Sequence, residues 1–491
     1  MVRVWRFAAR NLRLCPRGTV TLLIGGQNRL PTLLDYLTKL RIKMNAPSPI
    51  KSFSVYGLFG THDVHIPFNE NIKVLIGENG LGKTQVLNIF YYTLTQNFFR
   101  LSEFNFNSVK LVFSKGASIE IQKENVIKLV KTLYKHPMLE DIIKDIGFSR
   151  FELLRSKFIE SKGDWRRMDE KFLGLKTGRK YPPHHVFRVL DDFEMLNKEL
   201  KLGSHLEDCR RKIKSEIGSL ETLYFPTFRR VEEDLHNLGY DEDNLLDKED
   251  TVIHFGMDDV SKKFRSIENK IDRLLKEGFS KISSEIISQL VKGFSDTDNG
   301  WLDKIDENDI EIILARAGKQ LPESDKNGIR DIVMNKNINN PSLSYFLKKL
   351  IEIYEKQKEL DNSVKAFKDI CNNYLIGKKV FYDESAIKVC IKSDLTNKEI
   401  PLNQLSSGEK QIVSMFSKVY LSEKERFIVL FDEPELSLSM TWQKQLLPDV
   451  LNSKKCDFLL AVTHSPFIFD NELDQYAIGL SEYIKPSKNI A

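Results

Sequence analysis

The residues that point most directly to chemistry are Gly77–Thr84, with sequence Gly-Glu-Asn-Gly-Leu-Gly-Lys-Thr. This spacing fits the pattern G-x-x-x-x-G-K-[ST] of phosphate-binding loops, or P-loops. Glycine lets the backbone turn so that N–H groups face phosphate oxygens, and a following helix adds its positive N-terminal end. We expect Lys83 to reach the β- and γ-phosphates and Thr84 to bind Mg²⁺. The predicted nucleotide-binding residues are Gly77, Glu78, Asn79, Gly80, Leu81, Gly82, Lys83, Thr84 and Gln85.

The segments on either side of this loop support that interpretation. Residues 72–76 are mostly apolar and predict a short buried strand, while Val86, Leu87 and Phe90 recur at helical spacing. A glycine-rich turn that matches by chance would need neither the strand before it nor the helix after it. The context therefore favours a P-loop.

Two later strands end in side chains that would complete such a site. Residues 427–431 predict a buried strand that delivers Asp432 and Glu433, and residues 458–462 predict another that ends before His464. One carboxylate beside the loop can hold Mg²⁺, and the next can polarise the attacking water. A histidine on the neighbouring strand can bind the γ-phosphate. The predicted catalytic residues are Lys83, Glu433 and His464, and the predicted magnesium ligands are Thr84 and Asp432.

A third segment, Leu405–Gln411, begins a predicted helix with the sequence Leu-Ser-Ser-Gly-Glu-Lys-Gln. A helix that opens on serine and glycine offers N–H groups and a positive end to an anion. Taken alone this segment is a weak signal, but its order with the P-loop, the two carboxylates and the histidine is specific. Its candidate anion-binding residues are Ser406, Ser407, Gly408 and Glu409.

The elements that must position these residues predict an α/β fold with a mixed sheet flanked by helices. At 491 residues the chain exceeds one ordinary core, and the stretch 85–404 is too long for a loop, so it must hold a large and mostly helical insertion. Apolar residues at heptad-like spacing in 260–274 and 346–374 predict an antiparallel helical hairpin. The predicted divisions are 1–43 (basic extension), 44–123 (N-terminal lobe with the P-loop), 124–220 (helical insertion), 221–235 (return strand), 236–378 (helical hairpin) and 379–491 (C-terminal lobe).

Composition is that of a globular protein, with 41% hydrophobic and 29% charged residues and a net charge of +5. Residues 1–43 carry nine of the basic residues and a single acid, Asp35, so the rest of the chain gives no general signal for nucleic acid. This segment fits a translated upstream region before Met44, which we favour, a transit peptide or a nucleic-acid-binding arm. Scattered cysteines and the lack of a long apolar run predict a cytoplasmic protein that does not cross a membrane.

Several other residues leave alternatives open. Arg229 and Arg230 follow a predicted strand, where they would contact phosphate or pair with nearby glutamates. Residues 162–188 are basic with interleaved aromatics, which suits single-stranded nucleic acid or a solvated loop. His62 and His65 lie in a predicted strand, where they would bind a metal or occupy its surface.

The quoted motifs together resemble the ATP-binding-cassette (ABC) class of ATPase heads found in SMC, RecF and OLD proteins. The resemblance covers about 44–121 and 379–470, with 221–230 as a further candidate segment. It implies ATP and Mg²⁺ as ligands and a head-to-tail pair of heads, in which Ser407 and Gly408 contact the γ-phosphate bound by the partner's Lys83. The family's Q-loop glutamine has no clear counterpart; Gln96 and Gln122 are candidates.

Short segments narrow the expected process. Residues 224–235 and 255–260 resemble stand-alone ATPases of anti-phage systems of the Septu type and retron-linked relatives. Since only a short stretch follows His464, we expect an ATPase without its own nuclease, which assembles as a homo-oligomer and gates a separately encoded effector such as a nuclease. The alternative is a RecF- or SMC-like ATPase of DNA repair or chromosome maintenance, with nucleic acid as partner.

Overall fold

The computed structural model describes residues 48–78, 80–134, 203–227, 257–294, 300–317, 321–336 and 340–487, with a few residues between 138 and 192 and residue 338. All of them belong to one unit, Ala46–Ala491. Residues 1–43, predicted as a basic extension, lie outside the described residues.

The described strands and helices follow the predicted order of an α/β head interrupted by helices. The strands are β1 (Ile50–Leu58), β2 (His62–Pro67), β3 (Ile72–Ile76), β4 (Ser108–Phe113), β5 (Ser118–Gln122), β6 (Glu221–Phe225), β7 (Lys378–Asp383), β8 (Lys388–Ser393), β9 (Phe427–Asp432), β10 (Cys456–Thr463), β11 (Ala477–Gly479) and β12 (Ile484–Pro486). The helices are α1 (Lys83–Leu94), α2 (Phe98–Leu101), α3 (Lys123–Tyr134), α4 (Gly203–Ile217), α5 (Met257–Lys292), α6 (Glu307–Ala317), α7 (Glu323–Met334), α8 (Pro341–Asn372), α9 (Ser407–Tyr420) and α10 (Met440–Asn452).

A parallel sheet in the order β11-β3-β10-β9-β6 carries the predicted site. Strand β9, which lies between β10 and β6, is buried along its whole length, which explains the uninterrupted apolar run in the sequence. Ile76 pairs with Thr463, and Phe225 pairs with Phe431. Because the carboxyl ends of parallel strands meet at one edge, the segments after β3, β6, β9 and β10 converge there.

An antiparallel sheet in the order β12-β2-β1-β4-β5 covers the other side of helix α1. The ring centroid of Phe90 on α1 lies 4.7 Å from that of Phe53 on β1 and 6.2 Å from that of Phe458 on β10. Helix α1 is therefore held between the two sheets by aromatic packing, which fixes the P-loop at its N-terminus.

Helices α5 and α8 run antiparallel, so the predicted hairpin is confirmed. Moving along α5, Phe264 meets Phe367, the carbonyl of Ile271 accepts from Gln357, and Glu285 accepts from Tyr345. The partners on α8 thus come in reverse order. Between the two long helices in the chain, α6 and α7 pack against α5 and α8 through a separate apolar cluster.

Two broader expectations concern membranes and cysteines. Within the described ranges, no helix has both the length and the apolar character that a bilayer crossing requires. The cysteines of the same ranges (Cys209, Cys371, Cys390 and Cys456) are free and buried.

Candidate active site

The P-loop wraps around the amino group of Lys83. The Lys83 Nζ donates to the carbonyls of Gly77 at 2.7 Å and Glu78 at 2.9 Å. The loop turns through left-handed glycines, Gly80 with φ 88° and Gly82 with φ 78°, which other residues adopt only with strain. Burial lowers the pKa of Lys83, against the attraction of nearby carboxylates.

The carboxylate of Asp432 is held by two threonines from different parts of the chain. The Thr84 hydroxyl donates to Oδ1 at 3.0 Å, and the Thr227 hydroxyl donates to Oδ2 at 2.9 Å. Asp432 is only 2% exposed, and burial raises its pKa although both hydrogen bonds oppose that shift. Hydroxyl and carboxylate oxygens are the donors that Mg²⁺ prefers, so Thr84 and Asp432 fit the predicted ion.

Glu433 and His464 lie beside the lysine. The Nε2 of His464 is 2.7 Å from Lys83 Nζ and 3.2 Å from Glu433 Oε1. Glu433 has a left-handed backbone with φ 49° and is fixed by its N–H, which donates to the Val462 carbonyl at 2.9 Å. Such a conformation costs about 1–3 kcal/mol and is concentrated at functional sites. The three predicted catalytic residues are thus brought together.

Glu435 also shapes this site, and the sequence analysis did not identify it. Its Oε1 accepts from the backbone N–H of His464 at 2.7 Å and of Ser465 at 3.1 Å. Gln443 supports the same region, because its amide donates to the Leu438 carbonyl at 2.9 Å and its oxygen accepts from the Ser465 hydroxyl at 2.6 Å. The turn 433–438 is therefore tied to the segment that carries His464. The signal in the sequence was an acid two residues after Glu433.

The segment 406–409 forms the capped start of α9. Ser406 is the N-cap and is exposed, and Glu409 completes a capping box by accepting from the Ser406 N–H at 2.8 Å. Although burial alone raises the pKa of Glu409, the hydrogen bonds from Lys378 and Ser406 outweigh it and the pKa lies below its ordinary value. Glu409 therefore holds the helix start together, while Ser406 and the half-buried Ser407 remain accessible.

Gly408 faces the turn that follows β9. A Cβ atom at this position would lie 2.5 Å from the backbone oxygen of Ser437. In the same place, the Gln411 amide donates to the Pro434 carbonyl at 3.2 Å. The start of α9 thus packs directly on the turn 433–438 of its own chain, which adds a contact within one head to the predicted role across two heads.

A comparison with protein families shows to which family the chain belongs. Residues 50–469 match the profile described as an AAA ATPase domain. The chain belongs to the AAA ATPase domain family. No curated protein matches it.

Solved structures similar to this AAA ATPase include two SMC heads. One is the Smc head domain with an extended coiled coil bound to the C-terminal domain of ScpA, derived from Pyrococcus furiosus, at 11% identity over 86% of this chain and 90% of that chain, with a TM-score of 0.31. The other is the SmcHead bound to the C-winged helix domain of ScpA, at 10% identity over 86% and 91% of the two chains, also with a TM-score of 0.31.

Neither glutamine candidate for the Q-loop reaches the site of this AAA ATPase. Gln96 lies two residues beyond the end of α1, and that end is about 16 Å along the helix axis from Lys83 at the standard rise. The amide of Gln122 donates to Glu120 on an exposed stretch of β5. Both glutamines therefore lie away from Lys83 and Asp432 in this structure. What the structure brings to Asp432 from the return strand is Thr227.

Some predicted residues lie outside the described part of the chain, namely Asn79, Arg229, Arg230 and residues 162–187. His62 and His65 are described, and each ring accepts or donates one hydrogen bond, to Thr61 and Ser54 respectively. Three positions apart on one strand they point to opposite faces, and no metal-binding group of His, Cys, Asp and Glu occurs among the described residues. A strand-surface role fits both.

Phe59 is a second residue that the sequence analysis missed. It lies in the turn between β1 and β2 with a left-handed φ of 56°, which is an outlier for a bulky side chain. Its ring is so close to the P-loop that a Cβ at Gly82 would come within 2.8 Å of it, yet Phe59 is 45% exposed. An exposed aromatic ring beside a P-loop can stack on a nucleobase.

Proposed function

We propose that this AAA ATPase binds ATP with Mg²⁺ and hydrolyses it to ADP and phosphate. The observation that carries the proposal is the cluster of Lys83, His464 and Glu433 at one edge of the parallel sheet, with Asp432 beside it. Bound Mg²⁺ would neutralise phosphate charge. Lys83 binds the β- and γ-phosphates, Glu433 polarises the attacking water, and His464 donates to the γ-phosphate.

We further propose ABC-type pairing of two heads around ATP. The exposed Ser406, the half-buried Ser407 and the N-terminus of α9 would bind the γ-phosphate held by the other protomer. A single head then lacks part of the phosphate site, so hydrolysis depends on assembly.

A Glu433→Gln variant tests both statements. Replacing the base with a neutral isostere leaves the phosphate contacts in place, so we expect ATP binding to persist and turnover to fall by about 100-fold or more. Size-exclusion chromatography with light scattering should show a dimer that accumulates only with ATP and Mg²⁺. Glu425→Gln, at an exposed position just before the start of β9 and so at the opposite end of that strand from Asp432, serves as the control. Wild-type turnover in Glu433→Gln would contradict the assigned base, and the absence of any ATP-dependent assembly would contradict the pairing.

Phe59 is proposed as the surface on which the base stacks. Stacking of an aromatic ring on a base contributes about 1–3 kcal/mol, so Phe59→Ala should weaken ATP binding by about fivefold or more while Phe59→Tyr retains it. Because any purine has a stacking face, GTP binding should fall by the same factor. Unchanged affinities in isothermal titration would remove Phe59 from the site.

For the biological process, we propose that ATP-dependent assembly gates a separately encoded effector, a nuclease, in anti-phage defence. The support is the likeness of residues 224–235 and 255–260 to stand-alone ATPases of such systems. Phage plating on cells that carry the gene with its native neighbours tests this. Protection should be lost in Lys83→Ala and in Glu433→Gln, and full protection by Lys83→Ala would contradict the proposal.

The alternative is a RecF- or SMC-like ATPase that acts on DNA in repair or chromosome maintenance. It is compatible with the same head and the α5–α8 hairpin. An ATP-dependent gel shift of duplex DNA by the isolated protein would favour it. The assay is done at low salt, because contacts to DNA phosphates are strongest there. No shift at low salt would count against it.

A further inference from the structure

The loop after β6 carries a threonine into the predicted magnesium site. Strand β6 pairs in parallel with β9, with Phe225 level with Phe431. The chain continues through Pro226 to Thr227, whose hydroxyl donates to Oδ2 of Asp432 at 2.9 Å. The residue that touches this carboxylate therefore comes from the strand that returns from the insertion, 205 residues before Asp432 in the chain.

Thr227 does for one oxygen of Asp432 what Thr84 does for the other. The Thr84 hydroxyl donates to Oδ1 at 3.0 Å, so each carboxylate oxygen receives one hydroxyl from a separate segment. Asp432 is 2% exposed, which leaves bulk water little access to it. Without such donors a buried carboxylate is destabilised, and its orientation is not fixed.

A hydroxyl is suited to this position in a way that an apolar side chain of the same shape is not. It donates its proton to the carboxylate and keeps lone pairs free for a cation or a cation-bound water. Outer hydrogen bonds of this kind orient metal ligands and tune their affinity. Valine has nearly the same volume as threonine and would preserve the packing while removing the donor.

We propose that Thr227 is a positioning residue of the magnesium site, which fixes Asp432 for the ion and takes the place that neither Gln96 nor Gln122 occupies. The inference rests on the proposed function, because it concerns the Mg²⁺ that accompanies ATP. It also makes the return strand a direct part of the site, so that a shift of β6 against β9 changes the donors of Asp432.

The test compares ATP affinity with Mg²⁺ and with EDTA, by isothermal titration of the whole protein. Wild type should bind ATP more tightly with Mg²⁺. In Thr227→Val the increase in ATP affinity produced by Mg²⁺ should be about 10-fold smaller, in line with other residues that orient metal ligands. Its ATP affinity in EDTA should match that of wild type. Thr227→Ser should restore the gain. Thr95→Val is the matched control, because the Thr95 hydroxyl is also half-buried but donates to the Tyr91 carbonyl at the far end of α1.

Each other outcome has a definite meaning. A full Mg²⁺-dependent gain in Thr227→Val, or a larger one, would overturn the inference and leave the ATPase proposal intact. An equal loss with Mg²⁺ and with EDTA would assign Thr227 a purely structural role and would also overturn it. If wild type binds no ATP in either condition, the proposed function fails and the inference fails with it. Should Thr227→Val not fold, Thr227→Ala provides the same comparison.

Discussion

The amino group of Lys83 lies 2.7 Å from Nε2 of His464. The same amino group donates to the carbonyls of Gly77 and Glu78, so its three protons all have acceptors within the chain. An incoming γ-phosphate must exchange for at least one of them. Because the two P-loop carbonyls belong to the loop itself, His464 is the partner that we expect to be exchanged.

His464→Ala should therefore separate binding from turnover. The variant loses a donor to the γ-phosphate, so we expect kcat to fall by about 100-fold or more. Affinity for ATP should not weaken, because the competing contact to Lys83 is lost as well. Steady-state kinetics and equilibrium binding check this, with His62→Ala on β2 as the control. A variant that loses affinity while kcat stays at the wild-type value would contradict the exchange.

The lowered pKa of Lys83 predicts a pH dependence. Burial favours its neutral form in the free protein, so the ammonium charge is lost at a pH below the ordinary value of 10.5. Since the charged form binds phosphate, ATP affinity should be full at neutral pH and decline as the pH rises, before 10.5 is reached. Titrations from about pH 7 to about pH 10, with circular dichroism to verify the fold, check this sign. A constant affinity over that range would contradict it.

Gly408 should be intolerant of even a methyl group. A Cβ there would lie 2.5 Å from the Ser437 backbone oxygen, and backbone cannot move aside as a flexible side chain can. We expect Gly408→Ala to cost about 1–3 kcal/mol in unfolding free energy and to reduce turnover by displacing the turn that begins at Glu433.

Gly328→Ala is the control for Gly408. Gly328 is a glycine of α7 with open space around its Cα, so alanine should be neutral or stabilising there. Chemical denaturation and ATPase rates measure both variants. Equal effects at the two glycines would show that crowding against the Ser437 backbone oxygen is not the cause of the loss.

A buried ion pair joins α6 to α8 of the helical hairpin. Arg316 on α6 makes two hydrogen bonds of 2.8 and 2.9 Å with Asp361 on α8, and both side chains are 1% exposed. Tyr382 on β7 also donates to Asp361. Asp361→Asn should lower the unfolding free energy by about 3–5 kcal/mol, because it leaves the guanidinium buried without a counter-charge.

Two comparisons test the Arg316–Asp361 prediction by denaturant titration. The double variant Arg316→Met with Asp361→Leu should lose less than the sum of the single changes, since no unpaired charge remains. Arg330→Met removes the half-buried partner of the exposed Glu311 at the protein surface and should change stability by less than about 1 kcal/mol. Additive losses in the double variant would contradict the coupling.

The parts of the site that the sequence predicted are those with a local pattern. The P-loop spacing places Lys83 and Thr84 at the start of a helix, and α1 does begin at Lys83. Apolar runs mark β9 and β10, and the residues that follow them are necessarily at the edge where parallel strands end. The heptad-like spacing in α5 and α8 predicted the hairpin for the same reason, because a repeated apolar position must face a partner. The roles assigned to the site residues stay predictions.

Only the tertiary structure decided which residues, distant from one another in the sequence, form hydrogen bonds to the same group. The hydroxyls that hold Asp432 come from positions 348 and 205 residues away, and no spacing rule links them to it. Phe59 lies over the P-loop because a strained turn between two strands places it there, and Glu435 binds the His464 backbone because β9 and β10 are neighbours. Motifs are encoded by contiguous residues, whereas hydrogen-bond partners are chosen by the pairing of strands, which depends on the packing of the whole sheet.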